Sequence, residues 1–197
     1  MKVVNTRSVF GILAAFSLFL SLASLTMAQA QKAPAVPFSA DLPVAMTCPG
    51  QAPEGELVKI LFDRLKTKVT YDSLLEPKEI SGNKSLIIIL GGSGKGLGAA
   101  GADIQEELKR AEALVAEAKK QNVKILGFHL GGEDRRGQVS MKFIDIVTPK
   151  VNYLVVREDG NKDGAFTKIA QQNKIPFTQI KQTQELTDIL KAVFKIK

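Results

Sequence analysis

The sequence predicts an α/β fold of three layers, in which a mainly parallel sheet of five or six strands carries helices on both faces. Short apolar runs alternate along the chain with longer segments whose apolar residues recur at helical spacing. A run that is apolar throughout, such as 86–90, is typical of a strand covered on both faces, and regular alternation of strands and helices is typical of a parallel sheet. Because crossovers between parallel strands are right-handed, we expect the flavodoxin-like strand order 2-1-3-4-5.

Each predicted strand is a short run rich in aliphatic residues, and these runs lie at 43–48, 68–71, 86–90, 123–130, 151–156 and 175–180. The last run contains Pro176, which restricts it to a sheet edge or a loop because proline has no N–H to donate. Helical spacing of apolar residues, or a helix-start signal, predicts helices at 53–65, 77–80, 103–121, 139–147, 163–173 and 184–194.

The N-terminus has the pattern of a secretory signal. Lys2 and Arg7 precede the apolar segment 9–25, and an A-x-A cleavage pattern follows at 28–30. We therefore predict that residues 1–30 are a cleaved signal peptide. The alternative is an uncleaved membrane anchor, because the segment reaches the lower limit of about 17 residues for a spanning helix.

The remainder divides into a flexible leader at 31–42 and a single α/β domain at 43–197. Cleavage of the signal predicts a periplasmic or secreted protein with no stable membrane insertion. The net charge is +7, but the basic residues form no run, and the chain has two Tyr and no Trp. This pattern argues against nucleic-acid binding, and nothing in it calls for a cofactor.

Cys48 is the only cysteine, so the chain forms no internal disulfide. An exported lone thiol can pair with another chain, bind a metal or react. We expect instead a small buried side chain at the end of a strand.

The strand at 86–90 leads into residues 91–101, which hold six of the sixteen glycines. Glycine lets backbone N–H groups approach a ligand closely, and ligands of open α/β sheets bind at the carboxyl ends of strands where the strand order reverses. We expect a crevice between 47–51 and 91–101, flanked by 131–137. The predicted ligand-binding residues are Gln51, Gly91, Gly92, Ser93, Gly94, Lys95, Gly96, His129, Arg135 and Arg136.

Nucleotide-binding motifs do not fit this loop. A phosphate loop requires Ser or Thr after its lysine, whereas Gly96 follows Lys95. A G-x-G-x-x-G pattern at 96–101 begins too far beyond the strand, and no acidic residue ends the next strand to hold a ribose.

A hydrolase is an open alternative. Residues 91–95 approach the nucleophile elbow G-x-S-x-G, although Lys95 replaces its last glycine. Ser93 could pair with His129, with Asp134 as the orienting carboxylate. The competing interpretation makes Ser93 a turn residue and His129 a strand-end residue bonded to backbone.

Cations on neighbouring loops suit a carboxylate or phosphate ligand. Lys95, Arg135 and Arg136 are such a group. The alternative is a surface cluster of ion pairs in which Glu133 and Asp134 neutralise the arginines.

Residues 159–164 match the first half of an EF-hand calcium loop. The twelfth position, which should be a bidentate Glu, is Ala170. We therefore expect no metal site, and interpret the segment as a tight turn in which Asp163 caps the next helix.

Taken together, the segments 50–53, 91–101, 131–137 and 160–164 resemble a family of exported bacterial proteins known as a domain of unknown function. The resemblance spans nearly the whole chain after the signal. It implies a flavodoxin-like or Rossmann-like fold and brings no activity with it.

These observations favour a protein that binds a small anionic molecule at the carboxyl edge of the sheet. The sequence completes no catalytic set, so we expect binding rather than catalysis. A hydrolase that uses Ser93 and His129, and a non-catalytic interaction protein, are the two alternatives.

Overall fold

The computed structural model describes residues 38–197, so the predicted signal peptide and most of the predicted leader lie outside the described residues. A six-stranded sheet, parallel throughout, has the order β2-β1-β3-β4-β5-β6. Its strands are β1 Val44–Thr47, β2 Val69–Tyr71, β3 Ser85–Ile89, β4 Lys124–His129, β5 Tyr153–Arg157 and β6 Phe177–Ile180. The predicted flavodoxin-like order is confirmed, and the sixth strand is an edge strand that begins directly after Pro176.

Within residues 38–197, six α-helices connect or follow the strands: α1 Glu54–Arg64, α2 Gly94–Ala100, α3 Ile104–Lys120, α4 Gln138–Val147, α5 Ala165–Asn173 and α6 Leu186–Phe194. The prediction at 77–80 corresponds to a 3-10 helix, Pro77–Ile80. The prediction of a loop throughout 91–101 is wrong, because residues 94–100 form α2. This helix forms because the Ser93 hydroxyl accepts the Gly96 N–H at 3.1 Å and because Gly101, at φ 63°, ends it in the left-handed region.

Two hydrophobic cores cover the faces of the sheet. One contains α1 and α6, and the other contains α3, α4 and α5. The side chains of β3 alternate between them, since Ile87 packs in the first core and Ile88 in the second, and both are buried. This double burial explains the uninterrupted apolar sequence of the strand.

Within residues 38–197, no helix combines the length and the apolar character that crossing a membrane requires.

Candidate functional site

The loops that follow β1 and β3 pack against each other at backbone level. Gly50 and Gly92 form a parallel β-bridge, and the Ser93 N–H donates to the Gly50 carbonyl at 2.8 Å. A Cβ on Gly50 would overlap the carbonyl oxygen of Gly91. Glycine is therefore required here for contact between two chain segments. The crevice predicted between these loops is closed by the protein's own backbone.

Gln51 is engaged in the same closure. A Cβ on Gly96 would overlap the Gln51 carbonyl oxygen, so this glycine also serves chain packing. The Gln51 side-chain amide donates to the Ser73 carbonyl at 3.0 Å and to a Glu107 carboxylate oxygen at 3.1 Å. Gln51, predicted as a ligand residue, thus belongs to an internal hydrogen-bond network.

A buried ion pair lies at the centre of that network. Arg110 Nε and Nη2 donate to the two carboxylate oxygens of Glu107, both at 2.7 Å. The guanidinium also donates to the carbonyls of Leu75 at 2.7 Å and Ser73 at 2.8 Å. Only 5% of Glu107 and 9% of Arg110 are exposed. The pair ties α3 to the segment after β2, and protein side chains occupy the point where the strand order reverses.

The predicted site residues do not include this pair, although the sequence carries a signal for it. Glu107 shares the i, i+4, i+7 spacing of the buried helix face with Ala111 and Leu114. Arg110 follows three residues later, at the spacing that lets two helical side chains meet. Opposite charges at this spacing on an apolar helix face indicate that the two side chains are buried and paired with each other. They do not indicate an exposed carboxylate that interacts only with the helix dipole.

An open groove of about 520 Å³ lies one strand further along, between the loop after β3 and the segment that leads from β4 into α4. Its lining residues are Gly92, Ser93, Gly94 and Lys95 on one wall and Asp134, Arg135, Gly137, Gln138, Val139 and Ser140 on the other. Of the predicted ligand-binding residues, Gly92, Ser93, Gly94, Lys95 and Arg135 line this groove, whereas Gln51, Gly91, Gly96, His129 and Arg136 do not.

Ser140 fixes the distance between the two walls. Its hydroxyl accepts the Gly92 N–H at 3.0 Å and donates to the Gly92 carbonyl at 3.1 Å. A Cβ on Gly92 would lie 2.7 Å from Val139 Cγ1 and 3.1 Å from the Val139 carbonyl carbon. The start of α4 therefore packs directly against the backbone of the β3 loop.

Unpaired backbone donors line both walls. Gly137, the N-cap of α4, supplies no side chain, and the N–H groups of residues 138–140 donate to no acceptor within 38–197. The same is true of the N–H groups of Gly94 and Lys95 at the start of α2, for the described part of the chain. Such amides carry the positive end of a helix dipole.

Two cations border these donors. Lys95 is exposed and forms no ion pair with the described residues. Arg135 donates through Nε to Glu54 at 3.0 Å, and no described residue accepts from its terminal nitrogens. Lys95 and the outer part of Arg135 are therefore available to a ligand.

Arg136 has a different environment. Its guanidinium donates to the Gly160 carbonyl, forms two bonds of 3.1 and 2.8 Å with the Asp163 carboxylate, and lies 5.1 Å above the Phe166 ring. These contacts join the loops after β4 and β5. Arg136 therefore belongs to an ion pair, as the alternative interpretation expected, but its partner is Asp163 and not Glu133 or Asp134.

His129 is fully buried and holds backbone rather than Ser93. Its Nδ1 lies 2.8 Å from the Leu90 carbonyl oxygen and its Nε2 lies 3.1 Å from the Gly132 carbonyl oxygen. The ring packs on Phe166 with centroids 4.8 Å apart. Burial lowers the pKa of His129, so the ring is neutral at pH 7. A neutral ring donates to one of these carbonyls through its single N–H, and no hydrogen bond among residues 38–197 joins either nitrogen to the Ser93 hydroxyl.

The polar side chains of 159–164 are used internally. Arg157 Nε and Nη2 bind the Asp159 carboxylate at 2.6 Å each, and the Asn161 side-chain oxygen accepts the Phe166 N–H at 2.9 Å. Asp163 receives the arginine described above and the Ala165 N–H. Among residues 38–197, no group of three or more His, Cys, Asp or Glu side chains is arranged to hold a metal ion.

Cys48 is a buried structural thiol. Its sulfur accepts the Ala52 N–H at 3.1 Å and donates to the Ala52 carbonyl at 3.3 Å, which closes the turn after β1. Burial raises the pKa of Cys48 to about 12. The thiol is therefore protonated, and it lacks the thiolate character that reactive cysteines need.

Comparison with known proteins identifies a family and a distant fold likeness. The model of a family described as Domain of unknown function (DUF6305) matches residues 41–194. Curated proteins provide no match.

Among solved structures, an esterase EstA from Pseudoalteromonas sp. is 11% identical, with a TM-score of 0.29 over 73% of this chain and 86% of that chain. The esterase AlinE4, described as a member of the SGNH-hydrolase family, is 10% identical, with a TM-score of 0.30 over 71% of this chain and 75% of that chain. This likeness concerns the α/β fold alone.

Proposed function

The chain belongs to the family described as Domain of unknown function (DUF6305), and we propose from its geometry that it binds a small anionic solute in the groove between the β3 loop and α4. One observation carries the proposal: residues whose backbone N–H groups are unpaired within 38–197, at the start of α4 and in the loop after β3, line the same groove as Lys95 and Arg135.

Backbone donors at helix starts favour negative charge for two reasons. The N–H groups point outward without an intrahelical acceptor, and the aligned peptide dipoles place about half a positive charge at the end of the helix. Here α4 provides a full helix start that no side chain caps. A carboxylate or phosphate oxygen in the groove would satisfy donors that otherwise need water.

Lys95 and Arg135 add formal charge to these donors. A charge-assisted hydrogen bond is shorter and about twice as strong as a neutral one. Because Glu54 already accepts from Arg135 Nε, that guanidinium is held in place and offers its terminal nitrogens without further ordering. Lys95 is not held in this way and is the more dispensable to the fold.

Asp134 limits which anions fit. It lines the groove, is exposed and forms no ion pair with residues 38–197. A carboxylate so close to the cations repels a simple anion, but it accepts a hydrogen bond from a ligand that carries a hydroxyl or amino group. We therefore expect a ligand with an anionic end and a donor group.

A thermal-shift screen of the protein with inorganic phosphate, acetate, succinate and lactate tests the proposal. A ligand present at 100 times its Kd adds about 2.7 kcal/mol, which raises the melting temperature of a protein this size by roughly 5 to 11 °C.

Lys95→Ala should raise the Kd for the anion by about tenfold, which is equivalent to roughly 1.4 kcal/mol of binding free energy. It should not lower the melting temperature of the ligand-free protein. The matched control is Lys109→Ala, an exposed lysine of α3 outside the groove. The proposal fails if no anion shifts the melting temperature, or if the two variants weaken binding equally.

The hydrolase alternative is not favoured by any contact at Ser93. That hydroxyl caps α2 by accepting the Gly96 N–H. The two ring nitrogens of His129 lie against the Leu90 and Gly132 carbonyl oxygens and not against Ser93. The expected result of treating the protein with a fluorophosphonate probe is no covalent mass increase. Stoichiometric labelling that Ser93→Ala abolishes would restore the alternative.

A further inference from the structure

Lysines that are dispersed along the sequence gather at one edge of the folded sheet. The amino ends of parallel strands and the carboxyl ends of the preceding helices meet at this edge. We call it the basic edge and define it by Lys66, Lys68, Lys84, Lys119, Lys174 and Lys195, all of which are exposed.

These charges have no compensating partners. None of the six lysines forms an ion pair with residues 38–197. Asp41 also lies at this edge, where it pairs with Lys124 at the first residue of β4, and further carboxylates lie at the other ends of the strands, where Asp72 follows β2 and Glu158 follows β5. The basic edge therefore carries unpaired positive charge, whereas the opposite edge mixes carboxylates with the cations of the groove.

Three of these lysines occupy backbone positions that favour glycine. Lys66, Lys174 and Lys195 have φ values of 51°, 54° and 53° at the ends of α1, α5 and α6. Glycine adopts this left-handed conformation without the steric cost that a Cβ imposes.

The helix dipole does not require this placement, because a cation in the last regular turn complements it equally, as Lys119 does in α3. Lysine at all three positions lowers local stability relative to glycine and adds a positive charge. Residues that disagree with their local backbone preference in this way are expected at functional surfaces.

We propose that the basic edge docks on an anionic phospholipid bilayer. The chain enters the fold at this edge: the Asp41 N–H and carbonyl bond the Ser85 hydroxyl at 3.3 and 2.7 Å, at the first residue of β3. The sequence that precedes this entry contains the apolar segment 9–25, predicted as a signal peptide or an anchor. Residues 26–37 can span at most about 40 Å, which keeps this edge near any membrane that holds the segment.

Leu42 adds an apolar contact at the same place. It lies just before β1, and 42% of it is exposed. A bilayer can bury an apolar side chain that lies among lysines, whereas a soluble polyanion has no apolar region in which to bury it. This combination favours a lipid surface over nucleic acid.

Electrostatic docking of this kind has a predictable size and salt dependence. Each lysine near an anionic surface contributes about a fivefold increase in partitioning. The attraction extends about 30 Å at an ionic strength of 0.01 M and about 3 Å at 1 M. Binding should therefore be strong at low salt and lost at high salt.

The test measures co-sedimentation of the protein, expressed from the full chain, with vesicles of phosphatidylcholine alone and of phosphatidylcholine mixed with phosphatidylglycerol. Any contribution of the apolar segment is common to both vesicles, so the difference between them reports the charged surface. In the variant Lys66→Gly/Lys174→Gly/Lys195→Gly, partitioning to the phosphatidylglycerol vesicles relative to phosphatidylcholine alone should fall by roughly 100-fold. The variant should melt no lower than the wild type, because glycine suits each position.

The matched control removes the same charge away from the basic edge: Lys78→Ala/Lys142→Ala/Lys168→Ala, all exposed and unpaired within the described residues. It should retain the preference for phosphatidylglycerol. Equal binding of wild type to both vesicles, equal losses in the two variants, or tighter salt-sensitive binding to heparin than to the anionic vesicles would each overturn the proposal.

Discussion

Glu107→Gln removes one charge from a buried pair and leaves Arg110 with no counter-ion in the interior. Two unit charges about 4 Å apart interact by roughly 4 kcal/mol at an effective dielectric constant of about 20. The side chains of Arg110 and Glu107 are 8% and 6% exposed, so solvent screens this interaction little. The carbonyls of Ser73 and Leu75 still accept from the guanidinium, which offsets part of the loss.

We therefore expect the free energy of unfolding to fall by about 3 kcal/mol, in the lower range for breaking a buried pair. For a domain of this size that corresponds to a decrease of roughly 6 to 12 °C in melting temperature. Urea unfolding followed by circular dichroism measures the change, with an unchanged m-value as the sign of an intact fold.

Glu106→Gln provides the control, because Glu106 lies in the same first turn of α3 but is exposed. It loses the same dipole interaction and no buried partner, so its effect should stay within about 0.5 kcal/mol. Equal destabilisation by the two variants would refute the reasoning, since it would mean that Glu107 acts only on the helix dipole.

Three further predictions concern the groove and its support. Gly92→Ala should lower stability by about 1 to 3 kcal/mol, because its Cβ would lie 2.7 Å from Val139 Cγ1, whereas Gly94→Ala, with open space around it, should not; equal melting temperatures would contradict this. Asp134→Asn should tighten binding of succinate, which carries no hydrogen-bond donor at neutral pH, by about fivefold, from removal of roughly 1 kcal/mol of repulsion. Isothermal titration calorimetry measures the change, and weaker binding would contradict the prediction. Burial lowers the pKa of His129 in the folded state below about 6.5, the value in the unfolded chain. Between these two pKa values the unfolded chain binds a proton at His129 and the folded chain does not, so falling pH favours unfolding. Stability should be full above pH 6.5 and decline below it, and the NMR signals of the only histidine should titrate below pH 6.5; a midpoint above it would contradict the prediction.

The sheet was predictable because its strands are short apolar runs separated by helical patterns, and because chirality limits their order. For the last strand, Pro176 restricted the choice to a sheet edge or a loop, and the structure shows an edge strand. Helix α2 was missed, since three glycines in seven residues oppose helix formation by propensity. Its cap at Ser93 and its left-handed stop at Gly101 are local bonds that composition does not display.

The groove lies at the same edge of the sheet as the predicted crevice, but one strand away from it. A glycine-rich loop indicates that something approaches the backbone closely, and the pattern is the same whether that is a ligand or another loop. At Gly50 and Gly96 it is another loop. Which alternative holds depends on how β1 and β3 align, and that alignment depends on the whole sheet.

The bridge between Gly50 and Gly92 also determines which wall of the groove can tolerate substitution. One wall is joined through this bridge to β1 and β3 in the middle of the sheet, and cannot move without them. The other wall enters α4 at Gly137, where a side chain would meet nothing within 4 Å. Substitutions at Gly137 and at exposed Gln138 can therefore reshape the groove without disturbing the sheet, and ligand preference within this fold should be tuned there.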